Sequence, residues 1–435
     1  MISRRALLAS ATATLVAAPG HAQADPLGGI LTGGGDPRRA VPGFCAIAFR
    51  SADQTASLVR AAGLAVTQPG RAIRLESPMR IASISKLAAT IGFMMLVQAG
   101  RMGLDEDVSD LLRFGLRHPL FPDMAITPRM LLSHTSGLRN GPSFPVGLGR
   151  PLSVALTPDG AQWDGGAWFG PATEPPGAWF AYADVNFAVI AELIERMTGE
   201  RFDLYMTRRV FAPLGLDCGY NWSGVPQRLR AQAAAIYRKA PSDEGPWDPA
   251  GPWQVQVDGQ VPPYPQITLT RAPEGQDLGP DDYDGANGFV FSPQGGLRAS
   301  ARDLEVLARL IAGKGQVDGV RLLKPETLAL MATPVWRYDA ARPNGDAYGG
   351  AILAYGLGMQ ILTDAAGDSL FPGCAGWIGH PGDAYGLVSG LWVHPESGRG
   401  FVYLVNGTAA PLDQLHGRSR FTVVEEQIAA VLAQA

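Results

Sequence analysis

A chain of 435 residues is long enough for two or more packed regions around a large core. Charged residues make up 17% and hydrophobic residues 46%, which is typical of a compact enzyme and not of a disordered or filamentous protein. The formal net charge of −4 does not indicate a nucleic-acid partner, and after the N-terminus no stretch reaches the ~20 apolar residues of a membrane span.

Residues 1–24 have the pattern of an export signal. Arg4 and Arg5 precede an apolar run, and Ala22-Gln23-Ala24 is a typical cleavage site. The paired arginines favour a twin-arginine signal, with an ordinary secretory signal as the alternative. We therefore expect the mature chain to begin near Asp25, in the periplasm or outside the cell.

Three short apolar runs at residues 41–50, 61–67 and 72–75 are predicted strands. They lead to a strongly apolar segment, predicted to be a helix that ends near Gly100 or Gly103. Ser83 and Lys86 lie at the start of this segment, three residues apart. That spacing places both side chains on one face of the first helical turn.

The Ser83 and Lys86 side chains suit nucleophilic catalysis. A serine hydroxyl attacks only when a neighbouring base takes its proton, and a buried lysine can lose its charge and act as that base. Arginine cannot do so, and the chain keeps here one of the four lysines among its 36 basic residues. The structural alternative is a helix cap followed by a lysine that only packs.

Residues 104–238 are predicted to be mainly helical. Thr127 and Pro128 form a typical helix start, and that helix runs into a loop containing His134 and Ser136. Turn chemistry explains this loop better than a catalytic Ser–His pair does. Tyr182 lies in a turn before an apolar helix at 188–198, where a buried core tyrosine is the structural alternative.

The composition becomes rich in Pro, Gly and Asp from residue 239 to 288, which predicts an extended surface insertion. The regular pattern then returns. The predicted elements are helices at 301–312, 325–331 and 421–433, and strands at 355–362, 377–380, 386–394 and 400–406. Cys45, Cys218 and Cys374 allow at most one disulfide, and free buried thiols are the default. No metal-ligand spacing is present, so neither a metal nor a cofactor is predicted.

Five segments, in this order, resemble the serine β-lactamase and penicillin-binding superfamily. The resemblance is to its class C-like branch, which also contains carboxylesterases, D-aminopeptidases and DD-carboxypeptidases. The segments are Ile81-Ala82-Ser83-Ile84-Ser85-Lys86, LLSHTSGL at 131–138, Tyr182-Ala183-Asp184, GGLRASARDL at 295–304, and His380-Pro381-Gly382. An α/β-hydrolase would need a Gly-x-Ser-x-Gly elbow, which the chain lacks.

The resemblance implies a β-lactamase/transpeptidase-like fold. An α/β domain of antiparallel sheet with flanking helices would be formed by residues 25–103 and 289–435. A mainly helical domain, residues 104–238, would be inserted between them, followed by the surface insertion at 239–288. The active site would lie between the two domains.

The resemblance also implies a role for each matching residue. Ser83 would form an acyl-enzyme, while Lys86 and Tyr182 share its proton, Tyr182 as a phenol partly ionised by the lysine charge. The backbone N–H groups of Ser83 and Asp383 would form an oxyanion hole, with Asp383 on an edge strand. The substrate-binding residues would be Asp184, His380 and Gly382.

Two departures from the family pattern affect the expected substrate. Asp184 stands where asparagine is usual, and an ionised carboxylate only accepts hydrogen bonds. His380 and Pro381 replace a Lys–Thr pair that binds the carboxylate of β-lactams in true β-lactamases. Both changes favour a small-molecule or peptide substrate with an ester or amide bond. D-amino-acid peptidase, DD-carboxypeptidase and weak β-lactamase activity are alternatives within the enzyme class, and a catalytically silent envelope-binding protein is the alternative outside it.

Overall fold

The computed structural model describes residues 25–53, 56–146, 150–220, 222–258, 289 and 291–435. The predicted signal peptide and most of the predicted insertion, from residue 259 onward, lie outside the described residues. Cys45, Cys218 and Cys374 lie within them and are free and buried, as predicted. None of the helices in the described ranges is long and apolar enough to cross a membrane.

A large antiparallel sheet forms the centre of the fold. In the described residues the strands are β1 (Gly43–Phe49), β2 (Leu58–Val66), β3 (Arg71–Ala72), β4 (Met79–Arg80), β5 (Ile236–Lys239), β6 (Trp253–Val257), β7 (Arg298–Ala299), β8 (Gln316–Val317), β9 (Val320–Arg321), β10 (Trp336–Arg337), β11 (Ala354–Tyr355), β12 (Gln360–Ile361), β13 (Ile378–Ala384), β14 (Leu387–Val393), β15 (Gly400–Val405) and β16 (Gly407–Thr408). Nine of them form one sheet in the order β10-β11-β12-β13-β14-β15-β1-β2-β3.

The helices in the same ranges are short except for four. They are α1 (Ile84–Gln98), α2 (Ser109–Leu112), α3 (Pro128–Leu132), α4 (Ser153–Leu156), α5 (Val185–Thr198), α6 (Phe202–Tyr205), α7 (Gln227–Arg230), α8 (Ala301–Ala312), α9 (Pro325–Ala332) and α10 (Val423–Leu432). A π-helical turn, Met206–Phe211, continues α6. Short 3₁₀ turns lie at Ile30–Gly35, Pro37–Arg39, Asp164–Gly166, Ala212–Leu214, Trp222–Gly224, Tyr348–Gly350 and Leu412–Gln414.

Helices cover both faces of the sheet. Because side chains alternate across a strand, Cys45 and Ile47 of β1 pack in the core that contains α8, while Phe44 and Ala46 pack in the core that contains α10. All seven residues of β1 are therefore buried. β1 pairs with β15 from Phe44–Val405 to Phe49–Gly400, so strands from the two ends of the chain lie side by side.

Helix α1 connects the sheet to the helical region. Twelve of its fifteen residues are buried, because one side packs against β13 and β14 and another against α5. A helix that is apolar on all sides needs such complete cover. The first turn of α1, which begins at Ser83, consequently lies between β13 and the N-terminus of α5. This agrees with the antiparallel sheet and flanking helices of the predicted fold class.

The sequence prediction was wrong in two places. The region predicted to be mainly helical, 104–238, does not end in a helix: α7 ends at Arg230, and residues 236–239 form β5, which pairs in parallel with β16 and antiparallel with β6. The start of the predicted insertion is thus part of a small sheet. β5 is held there by pairing with β16, a strand more than 160 residues later in the chain. The predicted strand at 355–362 is two strands, since Gly358, with φ +65°, turns the chain between β11 and β12.

A buried carboxylate attaches α10 to the sheet. Glu425 accepts hydrogen bonds from the Thr422 N–H and hydroxyl, both 2.9 Å, and from the Tyr403 hydroxyl, 3.0 Å. Burial raises the pKa of Glu425 to about 7 from an ordinary 4.5. The folded state therefore holds this proton more tightly than the unfolded state does.

This linkage predicts a pH-dependent stability. As the pH rises from about 4.5 to above 7, the raised pKa of Glu425 should lower the free energy of unfolding by about 3 kcal/mol. Glu425→Gln has no proton to lose, so its thermal midpoint should fall less than that of the wild type between pH 5 and pH 8. Glu326→Gln, at an exposed site in α9, should behave as the wild type does. Equal falls for wild type and Glu425→Gln would contradict the assignment.

Candidate active site

Ser83 is presented by a tight turn at the start of α1. Ala82 has a φ of +50°, which a residue with a side chain rarely adopts. The Ser85 hydroxyl holds this turn, because it donates to Ala82 O at 2.6 Å and accepts from Leu297 N–H at 3.0 Å. The Ile81 N–H also donates to Leu297 O. The turn is thus anchored to the chain just before β7.

Lys86 contacts Ser83 directly, as the spacing predicted. Its Nζ lies 3.2 Å from Ser83 Oγ and donates to Asp184 Oδ1 at 2.8 Å and to Gln294 O at 2.8 Å. The lysine side chain is fully buried, whereas that of Asp184 is 31% exposed. Burial lowers the pKa of Lys86, and the Asp184 carboxylate opposes this shift. The ammonium, with three N–H groups, has three acceptors.

Tyr182 lies beside this pair. Its ring is stacked on His134, with centroids 4.2 Å apart, and the Lys86 Nζ lies 4.7 Å from the ring centroid. Its hydroxyl lies 3.4 Å from His380 Nε2, and Tyr182 lines the same cavity as Ser83. The structure therefore places Ser83, Lys86 and Tyr182 together.

The expected direction for the Tyr182 pKa was wrong. Burial, followed by the Asp184 charge, raises the pKa of Tyr182 well above its ordinary value. The lysine charge does not counter this, because the ammonium is paired with Asp184 and lies over the ring face of Tyr182. The phenol is therefore neutral in the free protein, and any phenolate must form transiently.

His134 holds the Tyr182 turn from behind. Its Nδ1 accepts from the Ala183 N–H and from the Asn186 side-chain amide, both at 3.1 Å. The Ser136 hydroxyl donates to the other end of that amide, at 2.5 Å. Burial, then the Lys86 charge, keeps the pKa of His134 well below its ordinary value. His134 and Ser136 thus have the structural role that turn chemistry suggested.

Strand β13 brings its residues to the other side of Ser83. It pairs with β14 along its whole length but with β12 only at Ile378 and Gly379. Within the described residues no strand pairs with that side of 380–384, so this part of β13 is an edge. A Cβ on Gly382 would lie 2.6 Å from Ile81 O and 3.2 Å from Ser83 N. The strand backbone thus touches the nucleophile turn, and the oxyanion hole at Ser83 and Asp383 stays a prediction.

His380 has a partner that sequence reasoning missed. The Tyr355 hydroxyl donates to His380 Nε2 at 2.8 Å, while His380 Nδ1 lies against Pro381 O. Burial, then the Lys86 charge, lowers the pKa of His380 to about 3, so the imidazole is neutral. No local sequence pattern identifies Tyr355 as a site residue. The pairing of β11 with β12 in the sheet brings it next to His380.

A cavity of about 310 Å³ opens at Ser83, which is within the range of small-ligand sites. Its wall combines apolar groups with ionisable ones that the sequence did not suggest. The former are Ala351, Ile352, Val388, Leu412 and Phe421, and the latter are His416, Arg420 and Glu425. In the described ranges, no group of three or more His, Cys, Asp or Glu side chains is placed to hold a metal ion.

Comparisons with known proteins agree with this geometry. The family model described as Beta-lactamase matches residues 35–424. Penicillin-binding protein 4 of Amycolatopsis lactamdurans is 24% identical over 80% of this chain and 77% of its own. Esterase EstB of Burkholderia gladioli is 27% identical over 74% of this chain and 75% of its own.

Two solved structures show the same fold. EstCE1, a hydrolase with promiscuous acyltransferase activity, has a TM-score of 0.63 at 21% identity, covering 93% of this chain and 97% of its own. A D-stereospecific amidohydrolase from Streptomyces sp. has a TM-score of 0.57 at 22% identity, covering 89% and 95%. The serine-hydrolase superfamily to which these proteins belong includes esterases, amidohydrolases and penicillin-binding proteins.

The close approach of β13 gives a first test of this site. Gly382→Ala puts a methyl group against the Ile81 carbonyl and the Ser389 hydroxyl, and must push the strand away from Ser83. We expect kcat/KM for any Ser83-dependent reaction to fall about 100-fold. Circular dichroism should be unchanged. Gly115→Ala, which meets nothing within 4 Å, is the matched control and should keep full activity. A fully active Gly382→Ala would contradict the contact.

The Asp184 carboxylate gives a second test. It raises the pKa of both Lys86 and Tyr182, because an anion stabilises the protonated form of each. Asp184→Asn should therefore lower both pKa values and shift the acid limb of the kcat/KM profile to lower pH. Asp413→Asn, at an exposed carboxylate, should leave the limb in place. A limb that stays fixed or moves to higher pH in Asp184→Asn would refute this reading.

Proposed function

The chain belongs to the beta-lactamase family, and from this membership and the site geometry we propose that it is a serine hydrolase acting through an acyl-enzyme on Ser83. The observation that carries the proposal is the 3.2 Å contact between Lys86 Nζ and Ser83 Oγ, with the lysine fully buried. Family members include esterases, amidohydrolases and penicillin-binding proteins. An ester or amide bond is the proposed target.

In the first step Ser83 Oγ attacks the substrate carbonyl carbon. Its proton passes to Lys86 in the neutral amine form, directly or by way of the Tyr182 hydroxyl, which gives one proton to the amine as it takes one from Ser83. The negative oxygen is held by the N–H groups of Ser83 and Asp383. The carbonyl–leaving-group bond then breaks, and the leaving group takes the proton. A water molecule attacks the acyl-enzyme in the same way, which restores Ser83 and releases the acid.

Lys86 suits this role because its environment balances its two protonation states. Burial favours the neutral amine that takes a proton from Ser83, while Asp184 favours the ammonium formed after the transfer. Tyr182 is neutral and lines the same cavity as Ser83, so it supplies a proton to the leaving group or relays one. Lys86 therefore takes the proton from Ser83, and Tyr182 returns a proton to the leaving group.

Ester or amide substrates are preferred in this proposal over β-lactams. His380 stands where a lysine would bind a drug carboxylate, and its low pKa leaves no positive charge there. Pro381 provides no hydroxyl. Within the same class, D-amino-acid peptidase or DD-carboxypeptidase activity is the main alternative, and the fold shared with a D-stereospecific amidohydrolase supports keeping it.

The base is tested by replacing one lysine. Lys86→Arg keeps a positive charge but cannot give up its proton, so kcat/KM for a short-chain p-nitrophenyl ester should fall at least about 10³-fold, as for Ser83→Ala. Lys314→Arg is the matched control and should stay fully active, because Lys314 is exposed and does not line the cavity. An active Lys86→Arg variant would refute the role of Lys86.

The substrate class is tested with three probes on wild type and Ser83→Ala. They are a p-nitrophenyl ester, a D-alanine p-nitroanilide and a chromogenic cephalosporin. Ser83-dependent turnover of the ester or anilide, with little cephalosporin cleavage, is the expected result. Fast cephalosporin cleavage would instead assign a β-lactamase. No Ser83-dependent turnover, together with no mass increase of the protein on treatment with a fluorophosphonate, would favour a silent binding protein.

A further inference from the structure

Tyr355 is a side chain of the site that the proposed reaction does not use. We propose that Tyr355 is a positioning residue, whose hydroxyl occupies the free lone pair of His380 and thereby keeps the Tyr182 hydroxyl directed at Ser83. This inference rests on the proposed function, because the position of the Tyr182 hydroxyl matters only if Ser83 reacts. The inference is built on three observations.

The first is the tautomer of His380. Its Nδ1 lies against the carbonyl oxygen of Pro381, and a carbonyl oxygen can only accept a hydrogen bond. Nδ1 must therefore carry the ring proton. The ring is neutral, because its pKa is lowered to about 3. His380 Nε2 is thus an acceptor with one lone pair in the ring plane.

The second observation is that two phenols face this one lone pair. The Tyr355 hydroxyl lies 2.8 Å from His380 Nε2, an ordinary hydrogen-bond length, whereas the Tyr182 hydroxyl lies 3.4 Å away. The shorter contact makes Tyr355 the principal donor to this lone pair. The Tyr182 proton is thus left for another acceptor, and Ser83, on the wall of the same cavity, is the acceptor that the proposed reaction needs.

The third observation is that Tyr355 has no freedom to turn away. It is fully buried and lies in the sheet between Trp336 of β10 and Gln360 of β12. Its ring meets His134 edge-on at 5.2 Å, and His134 is stacked on Tyr182. The His134 ring contacts both tyrosine rings and therefore fixes the spacing between them. Their hydroxyl distances to His380 Nε2 differ by 0.6 Å, and the packing of the core maintains that difference.

Removing the Tyr355 hydroxyl should let the Tyr182 hydroxyl donate to His380 Nε2 instead. In Tyr355→Phe the His380 lone pair is free, and the Tyr182 hydroxyl is the nearest remaining donor. A phenol that donates to His380 turns its proton away from Ser83 and from the leaving group. The loss should therefore appear in the chemical step, with kcat falling at least about 10-fold and KM changing less than about 3-fold.

The test is a double-mutant cycle with His380→Leu, which removes the acceptor. If Tyr355 acts through His380, Tyr355→Phe should cost at least 10-fold in kcat in the wild-type background and less than 2-fold in the His380→Leu background. A merely structural role would cost the same in both backgrounds and would overturn the inference. Tyr338→Phe is the matched control and should keep wild-type kcat, because Tyr338 packs against the Phe180–Trp336–Tyr355 cluster but does not line the cavity.

A second measurement separates this inference from the proposed function. The ¹⁵N chemical shifts of the His380 ring should show a protonated Nδ1 and a hydrogen-bonded, unprotonated Nε2 in the wild type, with the Nε2 shift changing in Tyr355→Phe. A protonated Nε2 would overturn the inference even in an active enzyme. Absence of Ser83-dependent turnover in the wild type would overturn the proposed function, and the catalytic part of this inference with it.

Discussion

The arrangement of the site depends on the burial of one ammonium group. A charge removed from water is costly unless it is paired and hydrogen-bonded. The Lys86 Nζ meets this need with acceptors from three separate parts of the chain, namely Ser83 in its own helical turn, Asp184 before α5 and the carbonyl of Gln294 before β7. Ser83 and Gln294 belong to the two parts of the chain that form the sheet region, and Asp184 belongs to the helical region, so pairing the charge also fixes how these regions fit together.

Around this charge and its Asp184 counter-ion, the structure keeps four other ionisable side chains neutral. His134 and His380 are buried near a positive charge, and Tyr182 and Tyr355 are buried phenols. Adding a proton to either imidazole, or removing one from either phenol, would create a new buried charge, which is unfavourable. In the proposed reaction, proton transfer would thereby be confined to Ser83, Lys86 and Tyr182. The aromatic packing is thus part of the electrostatics of the site.

Much of the fold followed from local sequence patterns. The predicted helix at 301–312 coincides with α8, where Ser300 and Asp303 form a capping box, and the predicted strand at 41–50 contains β1. These elements are specified by capping side chains and by apolar runs, which are local signals. The strand pair β5–β6 was missed, because its pairing with β16 is a long-range contact that no local pattern encodes.

The sequence by itself determined the chemistry available, namely a serine and a lysine on one face of a helical turn, because their spacing is a property of the helix. It also indicated Tyr182, Asp184 and the His380–Gly382 segment through a family resemblance. Tertiary structure alone decided that Tyr182 is neutral and that Tyr355 bonds to His380. Protonation and hydrogen bonding depend on burial and on neighbours distant in the chain, and these exist only once the sheet and the helices have packed.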